Sequence, residues 1–187
     1  MNKRIRIIGG QWRRRWLTVL DLPGLRPTSD RVRETLFNWL GQDLTGQSCL
    51  DMFAGTGALG FEAASRGASQ VLMIEHHPKA MQQLQQHRDM LMSNADKPLK
   101  IEIINGDALR YTTGLPKHSF DIIFLDPPFN AALLLPALQI AHHLLRTSGL
   151  VYAESPDKLT TSPNWSIVRQ GQTRQTYYYL LQPIHNN

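Results

Sequence analysis

The chain has 187 residues, of which 42% are hydrophobic and 19% are charged, a composition typical of one globular domain with room for a small appendage. No apolar run approaches the length of a membrane span, and the basic N-terminus lacks the apolar stretch of a signal peptide, so a cytoplasmic protein is expected. The single cysteine, Cys49, excludes an internal disulfide and a cysteine zinc cluster. The histidine pairs lack metal-ligand spacing, so no metal site is expected.

The net charge of +5 is concentrated at one end of the chain. Residues 1–40 contain nine Lys or Arg and three acids, whereas the remaining residues contain eleven Lys or Arg and twelve acids. A basic segment attached to a nearly neutral domain indicates a polyanionic partner for that segment.

Two β-rich runs and one helix are predicted in the basic segment. The runs "RIRIIGG" (4–10) and "RRRWLTVL" (13–20) predict strands on either side of a turn. The stretch "RPTSDRVRETLFNWL" (26–40) predicts a helix with one apolar face and with Thr28 or Ser29 as its N-cap. We therefore expect residues 1–40 to form a hairpin and helix extension, and residues 41–187 to form the main domain.

Apolar runs and helical patterns alternate through the rest of the chain. Strands are predicted at 48–53, 70–75, 100–105, 121–126 and 150–155, and helices at 58–66, 78–92 and 133–145. Such alternation is typical of a parallel sheet with helices on both faces. The last two runs, 166–170 and 175–182, flank a short turn and predict an antiparallel hairpin. The predicted fold class is α/β, with a mostly parallel seven-stranded sheet that ends in an antiparallel hairpin.

A glycine-rich loop indicates a nucleotide-like cofactor. "DMFAGTGALG" (51–60) follows the first strand of the main domain, opens a helix and contains the G-x-G-x-x-G pattern. Glu75 ends the next strand, where an acid binds ribose hydroxyls. These features fit both a nicotinamide dehydrogenase and an S-adenosylmethionine methyltransferase. Asp107 in "NGDA" is placed to accept a hydrogen bond from an adenine amine, and with the terminal hairpin it favours S-adenosylmethionine.

The stretch "FLDPPF" (124–129) ends the fourth strand of the main domain. Neither proline can donate a ladder hydrogen bond, and the first forces the preceding residue into an extended conformation, so sheet pairing must stop here. A carboxylate, unpaired carbonyl groups and an aromatic ring at one corner suit a planar group that bears an amine. The expected catalytic residues are Asp126, Pro127, Pro128 and Phe129.

Four segments carry a family resemblance: "RIIGGQWRRR", "RPTSDRVRETLFNWL", "LDMFAGTGALGFEAASRGA" and "FLDPPF". On these residues the chain resembles the class I, Rossmann-like methyltransferases. Over nearly its whole length it resembles the bacterial RsmD family of 16S ribosomal RNA guanine-N2 methyltransferases. It departs from that family twice: Phe129 stands where the family often has Tyr, and the arginine run 13–15 lacks the Gly expected within it.

The resemblance implies methyl transfer from S-adenosylmethionine to the N2 amine of one guanine in a hairpin loop of 16S ribosomal RNA, within a partly assembled small subunit. A monomer is the default expectation. The residues expected to bind the cofactor are Asp51, Phe53, Gly55, Gly57, Glu75, His76, Asp107 and Ala108, with Thr28 and Arg31 added by the resemblance. The residues expected to contact RNA are Arg4, Arg6, Trp12, Arg13, Arg14, Arg15 and Arg26, with Trp16 interleaved among them.

Other functions stay open on the sequence. An adenine-N6 methyltransferase acting on RNA or DNA would use the same "DPPF" corner on a different base. An RNA-binding assembly factor would keep the fold without the activity. A nicotinamide dehydrogenase is the weakest alternative, and a glutamine methyltransferase would be expected to have Asn in place of Asp126.

Overall fold

The computed structural model describes residues 3–25, 27–93, 99–128, 132–160 and 163–184, and these form nine strands and five helices. The strands are β1 (Lys3–Arg6), β2 (Trp16–Val19), β3 (Ser48–Asp51), β4 (Gln70–Glu75), β5 (Lys100–Asn105), β6 (Phe120–Leu125), β7 (Leu145–Ser155), β8 (Trp165–Gln172) and β9 (Tyr177–Pro183). The helices are α1 (Asp30–Leu40), α2 (Ala58–Ser65), α3 (Pro78–Met92), α4 (Ala108–Thr112) and α5 (Leu134–Leu144).

Seven of these strands form one sheet in the order β5-β4-β3-β6-β7-β9-β8. The pairs from β5 to β7 are parallel, whereas β9 pairs antiparallel with both β7 and β8. Strands β1 and β2 form a separate antiparallel pair. The predicted fold is thereby confirmed. The strand order reverses between β3 and β6, and a ligand crevice is expected at the carboxyl ends of the strands at such a point.

Two elements differ from the sequence-based prediction. Helix α4 was not predicted, because five residues are too few to show a helical period; its start is fixed by Asp107, whose side chain accepts the Arg110 N–H at 2.8 Å. Strand β7 begins at Leu145, directly after α5, rather than after the "TSG" sequence. Its first residue pairs with Phe120, and an irregularity in the register follows before Leu150 pairs with Ile122.

Side chains of the parallel strands point alternately to the two faces of the sheet, and an apolar layer covers each face. One layer contains Cys49 and Phe124 and packs against α1, α2, α3 and the β1–β2 hairpin. The other contains Leu50 and Leu125 and packs against α5 and Ala108. The N-terminal extension therefore shares a core layer with the sheet. The domain boundary after residue 40 stays a prediction from the sequence.

The extension is joined to the sheet domain by a buried carboxylate, that of Glu62 on α2. Its two oxygens accept the backbone N–H groups of Ile8 and Gly9, each at 2.8 Å. They also pair with the guanidinium groups of Arg33 at 3.2 Å and Arg66 at 2.8 Å. Arg33 is fully buried and its guanidinium also donates to the Arg6 carbonyl oxygen at 2.9 Å. One acid thus fixes the hairpin, α1 and α2 relative to one another.

Replacing Glu62 by Ala is expected to lower the free energy of unfolding by about 3–5 kcal/mol, because two buried arginines and two backbone donors lose their acceptor. Urea unfolding followed by circular dichroism measures this change. Glu102→Ala is the matched control, since its partly exposed side chain pairs with the exposed Lys100, and its effect should stay within about 1 kcal/mol. Equal effects of the two substitutions would contradict the assigned role of Glu62.

Candidate active site

Acidic side chains collect at the carboxyl edge of the parallel strands. Asp51 and Glu75 end β3 and β4, Asp107 follows β5 by two residues, and Asp126 directly follows β6. Glu154 lies one residue before the end of β7. Because the carboxyl ends of parallel strands share one edge, the fold gathers these acids around the strand-order reversal between β3 and β6.

The glycine loop between β3 and α2 requires glycine for conformation and for packing. Gly55 and Gly57 have φ values of +52° and +77°, in the left-handed region that disfavours side chains. A Cβ atom at Gly57 would collide with the ring of Phe61, and one at Gly60 would lie 2.7 Å from the Met73 sulfur. The packing of α2 against β4 therefore accounts for Gly60, and the left-handed conformation beside the Phe61 ring accounts for Gly57. The Gly55 backbone borders the acidic edge, where its N–H meets Glu75.

Glu75 is buried at the end of β4 and braces this loop. Its carboxylate accepts the Gly55 N–H at 2.9 Å and the His77 N–H at 2.7 Å. A carboxylate has about four acceptor positions, so these two bonds leave capacity for hydroxyl donors from a ligand. His76, the next residue, has an exposed ring whose Nδ1 lies 3.4 Å from Glu75.

Asp51 is buried at the end of β3, where its Oδ2 accepts the Gly60 N–H at 3.0 Å. Burial, opposed by backbone donors and reinforced by the charge of Glu75, raises the pKa of Asp51 to about 7. Two acids held in a dry crevice repel each other, and a bound cation would relieve that repulsion.

Three further residues of the predicted cofactor set lie along the same edge. Phe53 is partly buried just after β3 and packs against the α5 layer. Asp107 is exposed and caps α4, with one of its two oxygens used for the cap. Ala108 is buried as the first residue of α4. The structure thus brings the predicted residues to one edge, and their contacts with a cofactor remain predictions.

Asp126 stands directly after β6, at the point where the prolines end the strand. Its Oδ2 accepts a hydrogen bond from the Thr28 hydroxyl at 3.1 Å. Burial, followed by the charge of Glu154, raises the pKa of Asp126 well above its usual range. Pro127 is buried and Pro128 partly buried, and the predicted stacking residue Phe129 lies outside the described residues.

Thr28 reaches Asp126 because of how α1 begins. Ser29, not Thr28, is the N-cap, and its hydroxyl accepts the Val32 N–H. The Arg33 guanidinium donates to the Thr28 carbonyl oxygen at 3.3 Å, so the arginine held by Glu62 also fixes Thr28. Arg31, predicted to close over the cofactor, is exposed on α1.

Sequence reasoning missed two polar residues on β7 beside this corner. Tyr152 and Glu154 are buried, and the tyrosine hydroxyl donates to Glu154 Oε1 at 2.7 Å. The available signal was the acid in the otherwise apolar run "LVYAES" (150–155), which a buried strand does not tolerate without partners.

Comparisons with known proteins identify the family of the chain. The family model described as Conserved hypothetical protein 95 matches residues 5–182. The chain is 43% identical over 185 residues to ribosomal RNA small subunit methyltransferase D of Escherichia coli K12, covering 95% of this chain and 89% of that protein. It is 40% identical over 182 residues to the Haemophilus influenzae protein of the same name, covering 95% and 93%. The solved structure of the Escherichia coli protein yhhF superposes with a TM-score of 0.83 at 40% identity, covering 97% of this chain and 98% of that one.

The chain belongs to the ribosomal RNA small subunit methyltransferase D family. Membership in a methyltransferase family implies a methyl donor. Among the described residues no helix is long and apolar enough to cross a membrane. The described part of the chain also holds no group of three or more His, Cys, Asp or Glu arranged for a metal ion.

The chain exposes most of its predicted RNA-binding residues on the N-terminal hairpin. Those described are Arg4, Arg6, Arg13, Arg14 and Arg15, all exposed, with Arg6 paired to Asp30 at 3.1 Å. Trp16 is 55% exposed and presents a ring beside them. Arg26 lies outside the described residues.

The prediction that Trp12 lies on this surface is wrong. Trp12 is only 2% exposed, and its backbone N–H donates to the Ser65 hydroxyl at 2.9 Å, which anchors the hairpin turn against α2. The departure from the family at residues 13–15 also has a structural counterpart. Within this run Arg14 adopts φ +70°, a region that favours glycine, so the chain holds a charged side chain in a backbone conformation suited to the Gly expected within the run.

The raised pKa of Asp51 predicts a pH-dependent cost to stability. Between the usual aspartate pKa of 3.8 and about 7, the folded protein holds a proton that the unfolded chain releases, so the free energy of unfolding falls as pH rises. Asp51→Asn removes this fall, and the variant should gain on the order of a few kcal/mol relative to the wild type from pH 4 to pH 7.

Urea unfolding of the ligand-free protein at several pH values measures this difference. The amide has one acceptor oxygen fewer than the carboxylate, which changes the free energy of unfolding of the variant by the same amount at every pH. The slope against pH of the difference between variant and wild type therefore reports the titration of Asp51 alone. Asp89→Asn, a substitution at an exposed position on α3, serves as the control. Its free energy of unfolding should differ from that of the wild type by the same amount at every pH. A pH-independent difference between Asp51→Asn and the wild type would show that Asp51 is not titrating in this range.

Proposed function

We propose that the protein transfers a methyl group from S-adenosylmethionine to the exocyclic N2 amine of a guanine in 16S ribosomal RNA. The observation that carries this proposal is the position of Asp126. It follows β6 at the same edge as the glycine loop, with its carboxylate oriented by Thr28 and in a desolvated setting. The names of the relatives support ribosomal RNA as the substrate class.

The acidic edge fits a cofactor that is cationic at its sulfonium and amino groups. Asp51, Glu75, Asp126 and Glu154 crowd negative charge there. Burial raises the pKa values of Asp51 and Asp126, and the charges of Glu75 on Asp51 and of Glu154 on Asp126 raise them further. We assign Glu75 to the ribose hydroxyls, Asp107 to the adenine amine, and the Gly55 and Gly57 backbone to the methionine end. When bound, the cofactor supplies an electrophilic methyl group.

The corner at Asp126 prepares the amine to attack that methyl group. The lone pair of a guanine amine is delocalised into the ring, which makes the nitrogen a poor nucleophile. The Asp126 carboxylate and the Pro127 carbonyl oxygen would each accept one N–H, which favours a pyramidal nitrogen with its lone pair directed at the methyl group. Positioning of this kind contributes up to roughly 7–11 kcal/mol in enzymes.

The raised pKa of Asp126 suits the proton transfer that completes the reaction. The amine nitrogen becomes acidic only as its bond to the methyl carbon forms, so no strong base is needed before attack. A carboxylate with a raised pKa is the better acceptor for the proton that is then released. Phe129 would stack on the base, a contact worth about 1–3 kcal/mol in nucleic-acid complexes.

The basic hairpin lies beside this corner and would hold the RNA. Arg6 pairs with Asp30, the first residue of α1, two residues after Thr28. A guanine in a loop or single strand leaves its neighbours at least cost, which favours a loop of the RNA. We further propose a partly assembled small subunit as the substrate, residues 1–40 as the RNA-binding module, and a cytoplasmic monomer as the acting form.

Asp126→Ala is expected to reduce methylation to near background while S-adenosylmethionine binding, measured by calorimetry, persists, because the substitution removes an acceptor for the amine. The assay is nucleoside mass spectrometry of small subunits from a strain lacking the protein, before and after incubation with enzyme and S-adenosylmethionine. The wild type should add N2-methylguanosine, and Asp89→Ala should match the wild type.

Other outcomes of this assay separate the alternatives. N6-methyladenosine in the wild-type reaction would overturn the guanine assignment and keep the chemistry of the corner. Cofactor binding without methylation of subunits or free RNA would favour an assembly factor. Wild-type turnover by Asp126→Ala would remove Asp126 from the mechanism.

The hairpin arginines predict a salt-dependent affinity for RNA. If about five phosphates are neutralised, the logarithm of the affinity should fall with the logarithm of salt concentration at a slope near −3.5, since each contact contributes roughly −0.7. Arg14→Gly should make this slope shallower by about 0.7 without loss of stability, because glycine relieves the positive φ.

Filter binding across a salt series and thermal unfolding measure the two properties separately. Lys117→Ala removes one exposed charge next to the amino ends of the parallel strands and should leave the slope unchanged. A flat salt response of the wild type would reject the hairpin as the RNA-binding surface. If the salt dependence of RNA affinity is the same for Arg14→Gly as for the wild type, Arg14 does not belong to the RNA-binding surface.

A further inference from the structure

Glu154 is a buried acid beside the catalytic corner that the reaction described above does not use. It is 6% exposed and lies on β7, the strand that pairs in parallel with β6. The register pairs Phe124 with Tyr152 and Leu125 with Ala153, so the next position along each strand places Asp126 beside Glu154. Side chains alternate along a strand, and both acids therefore face the same side of the sheet.

The register therefore places the two carboxyl groups side by side, and two further contacts of Glu154 bear on its role. The charge of Glu154 is the largest electrostatic contribution after burial to the raised pKa of Asp126. The Tyr152 hydroxyl donates to Glu154 Oε1 at 2.7 Å, which orients the Glu154 carboxylate. Burial raises the pKa of Tyr152 well above 10, so the phenol stays protonated and acts as donor.

A second carboxylate next to the one that receives the amine has a chemical consequence for the choice of base. Guanine presents two neighbouring donors on its Watson–Crick edge, the N1–H and the N2 amine. Adenine presents an N1 lone pair beside its N6 amine. An acid next to the amine acceptor therefore accepts from guanine N1–H but repels the N1 lone pair of adenine.

We infer that Glu154 determines the specificity for guanine by accepting the N1–H of the target base while Asp126 accepts from its N2 amine. This inference rests on the proposed guanine-N2 activity and extends it to a residue on a second strand. Tyr152 is the positioning residue, because it reaches the base only through Glu154. The two acids sit at the ends of paired strands in one rigid sheet, which fixes their spacing.

The inference is tested with 2-aminopurine, which has the same N2 amine as guanine but an N1 lone pair in place of N1–H. Small subunits are reconstituted with 16S ribosomal RNA that carries either base at the methylated position, and kcat/KM is measured for each at pH 8. The wild type should prefer guanine by at least about 100-fold, because a buried acceptor facing a lone pair is strongly disfavoured.

Glu154→Gln should reduce the ratio of kcat/KM for guanine to that for 2-aminopurine by at least about tenfold. Its kcat/KM for 2-aminopurine should also exceed that of the wild type, because the amide can turn its NH₂ group toward N1. A merely structural role of Glu154 predicts losses on both bases and no gain. Tyr152→Phe keeps the carboxylate and should keep the preference for guanine, even if kcat falls. Glu102→Gln, on exposed β5 surface, should leave both rates unchanged.

The outcomes distinguish the inference from the proposed function. Equal wild-type rates on guanine and 2-aminopurine would overturn the role of Glu154 while leaving guanine-N2 methylation intact, and this comparison needs no variant to fold. An unchanged preference in a folded Glu154→Gln enzyme, checked by thermal unfolding and cofactor binding, would overturn it as well. Absence of N2-methylguanosine in the wild-type reaction would instead overturn the proposed function.

Discussion

The buried carboxylate of Glu62 ties the N-terminal extension to the sheet, and the contacts that hold Asp126 depend on that tie. Glu62 receives the hairpin backbone on one side and two arginines on the other. One of these arginines, Arg33, also binds the carbonyl oxygen of Thr28, whose hydroxyl holds Asp126. A continuous path of polar contacts therefore runs from the basic hairpin to the acid proposed to bind the amine. Every member of this path is buried or partly buried, and hydrogen bonds in such a low-dielectric setting are stronger than those in water.

The acids at the carboxyl edge of the sheet show how the fold creates a reactive environment from ordinary side chains. Parallel strands bring Asp51, Glu75, Asp126 and Glu154 to one edge, and burial raises the pKa values of Asp51 and Asp126. Such crowding costs stability in the ligand-free protein. In the proposed reaction these acids favour a cationic cofactor, and the pKa of Asp126, raised first by burial, makes its carboxylate a good proton acceptor. Electrostatic strain in the free protein and complementarity to the ligand thus have a single cause.

Particular residues show where local sequence was sufficient and where it was not. The glycine loop, Glu75 and Asp126 could be located in advance, because each follows a strand with a strong apolar pattern and parallel strands share an edge. Trp12 was misplaced because alternation of arginine and tryptophan looks like an exposed platform, whereas the turn is pinned to Ser65 from 53 residues away in sequence. The sequence could not decide between Thr28 and Ser29 as the N-cap of α1. The Thr28 hydroxyl bonds to Asp126, 98 residues away in sequence, and Ser29 is the cap.

The sequence by itself determined the fold class, the edge of the sheet at which the strand-end acids gather and the end of strand β6 at the "DPPF" corner. Hydrophobic periodicity, glycine spacing and proline geometry are local properties, and each acts within a few residues. Tertiary structure alone decided that Arg33 holds Thr28, that Glu62 holds Arg33, and that Glu154 stands beside Asp126. These contacts join segments that are distant in sequence, and they depend on strand register and helix placement, which only the packing of the whole chain sets.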